Sequence, residues 1–540
     1  MKKLICAVIA ISFLLGLASC SERGTGKSII YPLSSSPRTI DPQYISDTPA
    51  KIIVNNCFEG LVRFNGDGEI IPGIASDWEI SDDGLTYTFH MQEGTEWYCP
   101  ISLKKEYGED FYNKYATEKV TAKDFVFACR RAIDPETGSS NAYRLMVIEN
   151  AVDIYSGKIP VDALGVYATD PNTVVFKLSE KCDDFLGRLT ESEFMPCNEE
   201  FFNSMNGRYG LSTKHILCNG PFYVSFWDPE SSMTIKANKC YAGKQTPKPV
   251  SVVLSFDSVT ESIVKKLDNG TFTGAFLPPD CEVPASTKTV KEINNTVYGF
   301  MFNCSDEFLS NANIRKAFCS SIDRSLFAGI EGMDTEEHGI VPGCCICGGV
   351  AYRDKVGGSV PEIEHSVEKA KEYWSKGVKN IKAETISVSV LCPQELDGAL
   401  REQFQIWQGA LGINLQISIR NMSANEISSA VSRGEYQIAI TGMKTDREDA
   451  ANYLADINDI GIFRLKSKGY SDIVNRLVTA DNDDDVADGC FEAEEYLLKN
   501  GVCFPLFSRS AKFVISDDAE GIEILDSESS VCFINARRFD

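Results

Sequence analysis

Residues 386–441 read ISVSVLCPQELDGALREQFQIWQGALGINLQISIRNMSANEISSAVSRGEYQIAIT. Ile386 to Leu391 reads as a strand, Glu395 to Leu411 as a helix with Leu396, Leu400, Phe404 and Trp407 at helical spacing, and Asn414 to Ile419 as a second strand. Ala424 to Val431 is helical again and Tyr436 to Thr441 is a third strand. Strand, helix, strand, helix, strand implies right-handed crossovers and a largely parallel sheet.

The earlier half of the chain follows a different pattern. Residues 57–97, CFEGLVRFNGDGEIIPGIASDWEISDDGLTYTFHMQEGTEW, alternate short apolar runs with turn residues. Asn65-Gly66-Asp67-Gly68 and Asp82-Asp83-Gly84 tolerate positive φ, and Leu85, Tyr87 and Phe89 alternate with Thr86, Thr88 and His90 as a half-buried strand requires. These are read as hairpins. Thr121-Ala122-Lys123-Asp124 then opens a helix carrying Phe125, Ala128, Cys129 and Ala132 on one face. The two halves are unlike, which argues against an internal repeat.

At the other extreme of the chain, Lys2 and Lys3 precede an apolar run from Leu4 to Leu15, and the segment ends Leu17-Ala18-Ser19-Cys20. This is the pattern of a secretory signal, not of a membrane span. Its last four residues resemble the lipobox of bacterial lipoproteins, which implies cleavage before Cys20 and lipid on that cysteine. Several acyl chains at ~0.8 kcal/mol per buried CH₂ anchor a protein without any other apolar segment. No later stretch approaches the ~18 apolar residues that suggest a span.

What remains after the signal is too long for one core, and 43% hydrophobic with 10% aromatic residues is an ordinary globular balance, so two or three domains are expected. Lys and Arg number 53 against 77 Asp and Glu, a net charge of −24 that repels phosphate backbones. Nucleic acid is therefore not expected as a partner. The 19 cysteines include Cys6 in the signal and Cys20 at its end, and the odd remainder cannot all pair internally. Most sit in apolar surroundings, such as Cys129 and Cys319, and read as small core residues. Cys344-Cys345-Ile346-Cys347 lacks the second ligand pair of a zinc site and is read as a Gly-rich surface loop. Neither a metal nor a cofactor is expected.

Catalytic signatures are missing in the same way. Gly26-Lys27-Ser28 resembles the end of a P-loop, but Ser21 stands where its first glycine belongs, and a flexible tether is the better reading. Ser102-Leu103-Lys104-Lys105 has a Ser-x-x-Lys spacing without the accompanying Ser-Asp-Asn or Lys-Thr-Gly. Four histidines leave few general bases, and no enzymatic activity is expected.

Thr39-Ile40-Asp41-Pro42, Phe58-Glu59-Gly60-Leu61-Val62, Pro72-Gly73-Ile74-Ala75-Ser76-Asp77-Trp78-Glu79, Ser81-Asp82-Asp83-Gly84-Leu85-Thr86-Tyr87-Thr88-Phe89 and Thr121-Ala122-Lys123-Asp124-Phe125-Val126 follow one another in order. Asn219-Gly220-Pro221-Phe222, Ile314-Arg315-Lys316-Ala317-Phe318, Ile322-Asp323-Arg324 and Val341-Pro342-Gly343 continue the series. Together they resemble the oligopeptide- and dipeptide-binding proteins of ABC importers, the family 5 extracellular solute-binding proteins. The resemblance implies an α/β, three-lobed, type II periplasmic-binding-protein fold of cluster C. Lobe I would comprise residues 20–58, 201–295 and 506–540, lobe II residues 59–200, and lobe III residues 296–505.

The family binds peptides as extended strands between lobes I and III, which close over them. In close relatives a Gly-Trp-x-x-Asp-Tyr motif follows a strand of lobe III, and its aspartate receives the ligand's ammonium. Here the matching run is Gly442-Met443-Lys444-Thr445-Asp446-Arg447, which places Asp446 at the aspartate position. The alternative is that Asp446 caps the neighbouring turn. Met443 and Arg447 depart from the motif, Ser46 stands where an acidic residue of lobe I opposes the ammonium, and Ile440 replaces a basic residue. Asp47 would compensate for Ser46, with Thr48 beside it. The candidate ligand set is thus Gly442, Met443, Thr445, Asp446, Arg447, Ser46, Asp47 and Thr48.

Residues 98–119, rich in Tyr, Lys and Glu, form an insertion on lobe II that is read as surface decoration, with docking of a partner as the alternative. The expected function is a monomeric, lipid-anchored receptor in the periplasm, held at the inner or outer membrane, that passes peptides to the inner-membrane permease subunits. The alternatives are a receptor for a specialised amine-bearing ligand (a cell-wall peptide, a dipeptide or a metal chelate), a hydrolase on the same scaffold, and an envelope interaction protein joined through the excess cysteines.

Overall fold

The computed structural model describes residues 28–539 except 46, 66–68, 140, 183–184, 279–280, 331–334, 359, 361–364, 380, 382–384, 413–414, 446–448, 479, 481 and 525–530. The signal segment and Cys20 therefore lie outside the described residues, among which no helix is long and apolar enough to cross a membrane.

Ile386–Cys392 runs parallel to Leu415–Asn421 on one side and to Ile438–Lys444 on the other. Helices Asp397–Leu411 and Ala424–Arg433 make the crossovers. This is the strand–helix alternation anticipated for residues 386–441, with ends displaced by a few residues. The sheet as a whole is mixed, which corrects the expectation of a largely parallel one. Ile438–Lys444 pairs antiparallel with Thr287–Phe302, which pairs antiparallel with Cys503–Ser516. Only strands joined by a local crossover helix must run parallel; the two long strands enter from distant parts of the chain and take the other sense.

Each face of this seven-stranded sheet is covered. Phe300, Val390, Ile440 and Trp407 pack on one side, and Val297, Met301, Met443 and Tyr453 on the other. Residues of opposite parity on the same strands thus feed two cores, as a sheet buried on both faces demands.

A second sheet joins Ile29–Leu33, Ser251–Phe256, Ser232–Ala237 and Phe222–Asp228 in that spatial order. A third is the antiparallel set Ala75–Ile80, Thr86–Met91, Thr173–Lys177 and Val166–Asp170. Its first two strands form a hairpin, as does Val62–Phe64 with Ile70–Pro72. Tyr87 and Phe89 face inward, as their alternation requires. Helix Ala122–Ile133 starts in a capping box between Thr121 and Asp124, and Phe125, Ala128, Cys129 and Ala132 are all buried.

The insertion at 98–119 is a buttress, not the surface decoration expected. It folds as helices Leu103–Tyr107 and Glu109–Tyr115, with Leu103 and Tyr115 fully buried. Phe111 and Tyr115 lie one turn apart on the second helix, Tyr107 of the first stacks on Phe111 at 4.8 Å, and Tyr115 meets the Phe201 ring edge-on at 5.1 Å. Glu106 fixes the outer side through Lys214 at 3.2 Å and His215 at 3.4 Å. Its aromatic residues, Tyr115 above all, supply the packing face.

Asp124 is 5% exposed and accepts from the Thr121 N–H at 2.7 Å and its hydroxyl at 3.2 Å. Burial raises its carboxyl to about 7, against the lowering effect of those bonds. The folded chain thus holds a proton that the unfolded chain releases near its ordinary range. That contribution is complete below the unfolded pKa and is lost as pH rises through 7. Asp124→Asn keeps an acceptor for Thr121 and has no proton to lose. Its stability in denaturant melts should gain on the wild type between pH 4 and 8, by up to about 4 kcal/mol at ~1.4 kcal/mol per unit. Parallel profiles would show that the carboxyl is unperturbed.

Candidate functional site

Between the second sheet and the mixed sheet lies a cavity of about 580 Å³. Its floor is formed by the two long strands of the mixed sheet, at Asn295, Thr296, Tyr298, Arg509 and Ser510. One wall carries Tyr31 to Ser34, the start of helix Thr48–Cys57, and residues near Asp257. The opposite wall carries Ser423, Ala424 and Ser428 from the start of helix Ala424–Arg433, together with Thr441, Gly442 and Lys444. The N-termini of these two helices and of helix Thr260–Asp268 therefore border the cavity, each lending it partial positive charge.

Side-chain alternation puts Gly442 and Lys444 on one face of strand Ile438–Lys444, and Thr441 reaches the cavity as well. Along Ile438–Lys444 the even positions 438 and 440 join the core shared with Trp407, and the same face emerges into the cavity at Gly442 and Lys444. Position 443 points the other way. Met443 is 2% exposed and packs in the opposite core, so it is a core residue and not the ligand contact expected. Thr445 is also buried, with its N–H donating to the Asn295 carbonyl at 3.0 Å, and is absent from the cavity wall.

Gly442 does line the cavity, and the geometry explains why the position lacks a side chain. It sits opposite Tyr298 in register, and a Cβ there would lie 2.7 Å from Thr296 Cγ2 and 3.2 Å from the Tyr298 ring. On its other flank the Tyr298 ring stacks on Phe507 at 5.2 Å and 6°. Tyr298 is thus held between a glycine and a phenylalanine with its edge at the cavity. Sequence reading missed it, because its alternation within Thr287–Phe302 shows only that one face is apolar, not that this face opens onto a ligand.

Thr48 lines the cavity, whereas Asp47 is the N-cap of helix Thr48–Cys57, accepting from the Ala50 N–H at 2.8 Å. Burial raises the Asp47 carboxyl, against backbone hydrogen bonds from Ala50 and Arg38 and the Arg38 charge. A carboxylate engaged as a helix cap is committed to the backbone, so the expectation that Asp47 takes over a ligand charge has to contend with that role. Ser46, Asp446 and Arg447 lie outside the described residues.

The cavity also carries fixed charge of both signs. Burial tends to raise Asp257, but Lys266 at 2.7 Å, Ser262 at 2.6 Å and the Val259 N–H outweigh it and hold the carboxyl below its ordinary range. Lys444 and Arg509 supply positive charge. Among the described residues no group of three His, Cys, Asp or Glu is placed to hold a metal ion, including the cysteines at 344, 345 and 347.

One further property of the wall bears on what fits there. Ile438–Lys444 pairs with Ile386–Cys392 only through Ile438 and Ala439. From Ile440 to Met443 that edge has no strand partner among the described residues, and edge amides and carbonyls are a template for an added strand.

Comparisons with known proteins agree with this geometry. The family model described as bacterial extracellular solute-binding proteins, family 5 middle, matches residues 69–460. The chain is 25% identical to the oligopeptide-binding protein OppA of Bacillus subtilis, over 97% of each chain. Among solved structures, the substrate-binding domain of an oligopeptide ABC transporter from Bacillus anthracis matches with a TM-score of 0.77 at 22% identity, over 96% of this chain and 100% of that one. Listeria monocytogenes OppA bound to peptide matches with a TM-score of 0.76 at 21% identity and the same coverage.

Asp47→Ala should cost about 1 kcal/mol of stability, the ordinary worth of an N-cap. A denaturant midpoint lowered accordingly checks this, and an unchanged midpoint would return Asp47 to the list of groups available to a ligand.

Proposed function

The chain belongs to the bacterial extracellular solute-binding proteins, family 5, and from that premise we propose that it captures short peptides in this cavity and delivers them to the permease of an ABC importer. The observation that carries the reading is the open strand edge from Ile440 to Met443 beside a cavity of about 580 Å³. Main-chain pairing along such an edge offers affinity without sequence choice, because every peptide presents the same backbone groups. Hydroxyls at Ser423, Ser428 and Ser510 and charges of both signs suit a wet cavity that accepts varied side chains.

The finer parts of the proposal rest on motif position. Asp446 follows directly on the cavity strand and is assigned to the ligand's ammonium, which restricts ligands to those with a free N-terminus. The lobe division at 58, 200, 295 and 505 is retained, with the cavity between lobes I and III. Cys20 is assigned as the lipidated N-terminus that holds the receptor at the membrane, working as a monomer.

Native mass spectrometry of the chain lacking residues 1–20, purified from cells, should release a ladder of mixed peptides on gentle denaturation. A protein that is empty and binds none of a peptide panel would overturn the assignment. Asp446→Ala should remove most affinity for free peptides and leave the weak binding of N-acetylated ones unchanged. Tyr298→Ala should weaken both about tenfold, since a buried aromatic contact is worth about 1.4 kcal/mol. For the anchor, Cys20→Ser should shift the protein from the membrane fraction to the soluble one.

A further inference from the structure

The chain leaves the second sheet for the third sheet's lobe just after helix Thr48–Cys57 and rejoins the second sheet at strand Phe222–Asp228. The two crossings are packed directly against each other. The Gly220 N–H donates to the Cys57 carbonyl at 2.9 Å. The buried Asn219 carboxamide brackets Glu59, accepting from its N–H at 3.2 Å and donating to its carbonyl at 2.8 Å. A Cβ at Gly220 would lie 2.5 Å from the Phe58 nitrogen, so the approach depends on glycine. Cys218 is fixed in turn by two backbone hydrogen bonds with Tyr98, at 2.7 and 3.3 Å.

Cys57 and Cys218 meet inside this crossing. They are free thiols, 1% and 2% exposed, brought to the same point by the Gly220–Cys57 backbone hydrogen bond, and they interact with each other. We propose that in the exported protein Cys57 and Cys218 are joined as a disulfide that clasps the two crossings. The protein is extracytoplasmic by family, and that is where disulfides form and persist. In the step, both S–H bonds break and one S–S bond forms. The two electrons and two protons pass to the disulfide of a thiol–disulfide oxidoreductase of the envelope, which becomes a dithiol.

The order of events follows from burial. Burial first, and the neighbouring thiol second, push the Cys57 thiol well up, so the finished fold offers almost no thiolate. The bond therefore forms as the crossings dock, before the core closes. The position also decides its effect. Every residue of the third sheet's lobe lies between the two cysteines, so the bond closes a long loop, and constraint of the unfolded chain grows with loop length. Cys344 and Cys345 also interact, but they are adjacent in sequence and a bond between them closes no loop.

The test uses the full chain exported to a bacterial envelope, with free thiols alkylated on denaturing lysis and digestion without reductant. The peptides containing Cys57 and Cys218 should appear joined in most molecules and separate on reduction. Reduction should also lower the unfolding midpoint by several degrees, and it should leave the midpoint of the Cys57→Ala/Cys218→Ala double variant unmoved. Recovery of both cysteines as separate alkylated peptides, or of either bonded elsewhere, would overturn the proposal. The result is independent of whether the cavity binds peptides.

Discussion

Thr287–Phe302 and Cys503–Ser516 are paired with each other along almost their whole length, and the rest of the molecule is arranged around that ribbon. At one end it joins Gly274–Leu277, close to the second sheet; at the other it joins Ile438–Lys444 and the parallel strands. The pairing is interrupted at three places, between Thr289 and Lys291, Ile293 and Thr296, and Tyr298 and Gly299. Irregularities of this kind bend and twist a strand locally, and the middle one lies at the cavity floor. A ribbon that both connects two bodies and bends between them is suited to a hinge. Asn295 and Tyr298 owe their place in the cavity to it.

Buried polar networks hold the elements beside the ribbon in register. Arg315, deep in helix Ala312–Ser320, donates to the carbonyls of Leu309, Ser310, Asn500 and Gly501, tying that helix to the turn that leads into Cys503–Ser516. Glu494 is fully buried and accepts from Arg353, the Tyr352 hydroxyl and the N–H groups of Ile340 and Val341. A desolvated carboxylate is tolerated only when its acceptor sites are filled in this way, and removing one partner is costly. The Val341-Pro342-Gly343 segment is thereby pinned to helix Asp483–Lys499, close to the cavity floor. Across the molecule, Arg188 reaches Asp456 at 3.8 Å, a contact between the third sheet's lobe and the mixed sheet's helices.

The cysteines follow from the same packing. Cys129, Cys319, Cys392 and Cys490 are buried singly among apolar side chains, and burial pushes the Cys319 and Cys392 thiols up to about 12. A thiol in that state behaves as a small hydrophobe. An exported chain tolerates many cysteines when most are inaccessible to exchange.

Periodicity and turn chemistry in the sequence determined the parallel strands of 386–441, their crossover helices, the early hairpins and the capped helix at 122–133, because each depends on neighbours within a few residues. The ordered motifs determined the family for the same reason. Tertiary structure decided what local spacing cannot encode. The sense of the two long strands relative to the parallel ones depends on segments two hundred residues apart, and so does the burial of the insertion's aromatic face against Phe201. The site divides along the same line. Of the residues singled out in the sequence, Gly442 and Thr48 line the cavity, but the direction in which Met443 points is set by which face of the sheet the cavity occupies. The role of Tyr298 is set by a glycine and a phenylalanine on two other strands, and only the folded sheet brings those three residues together.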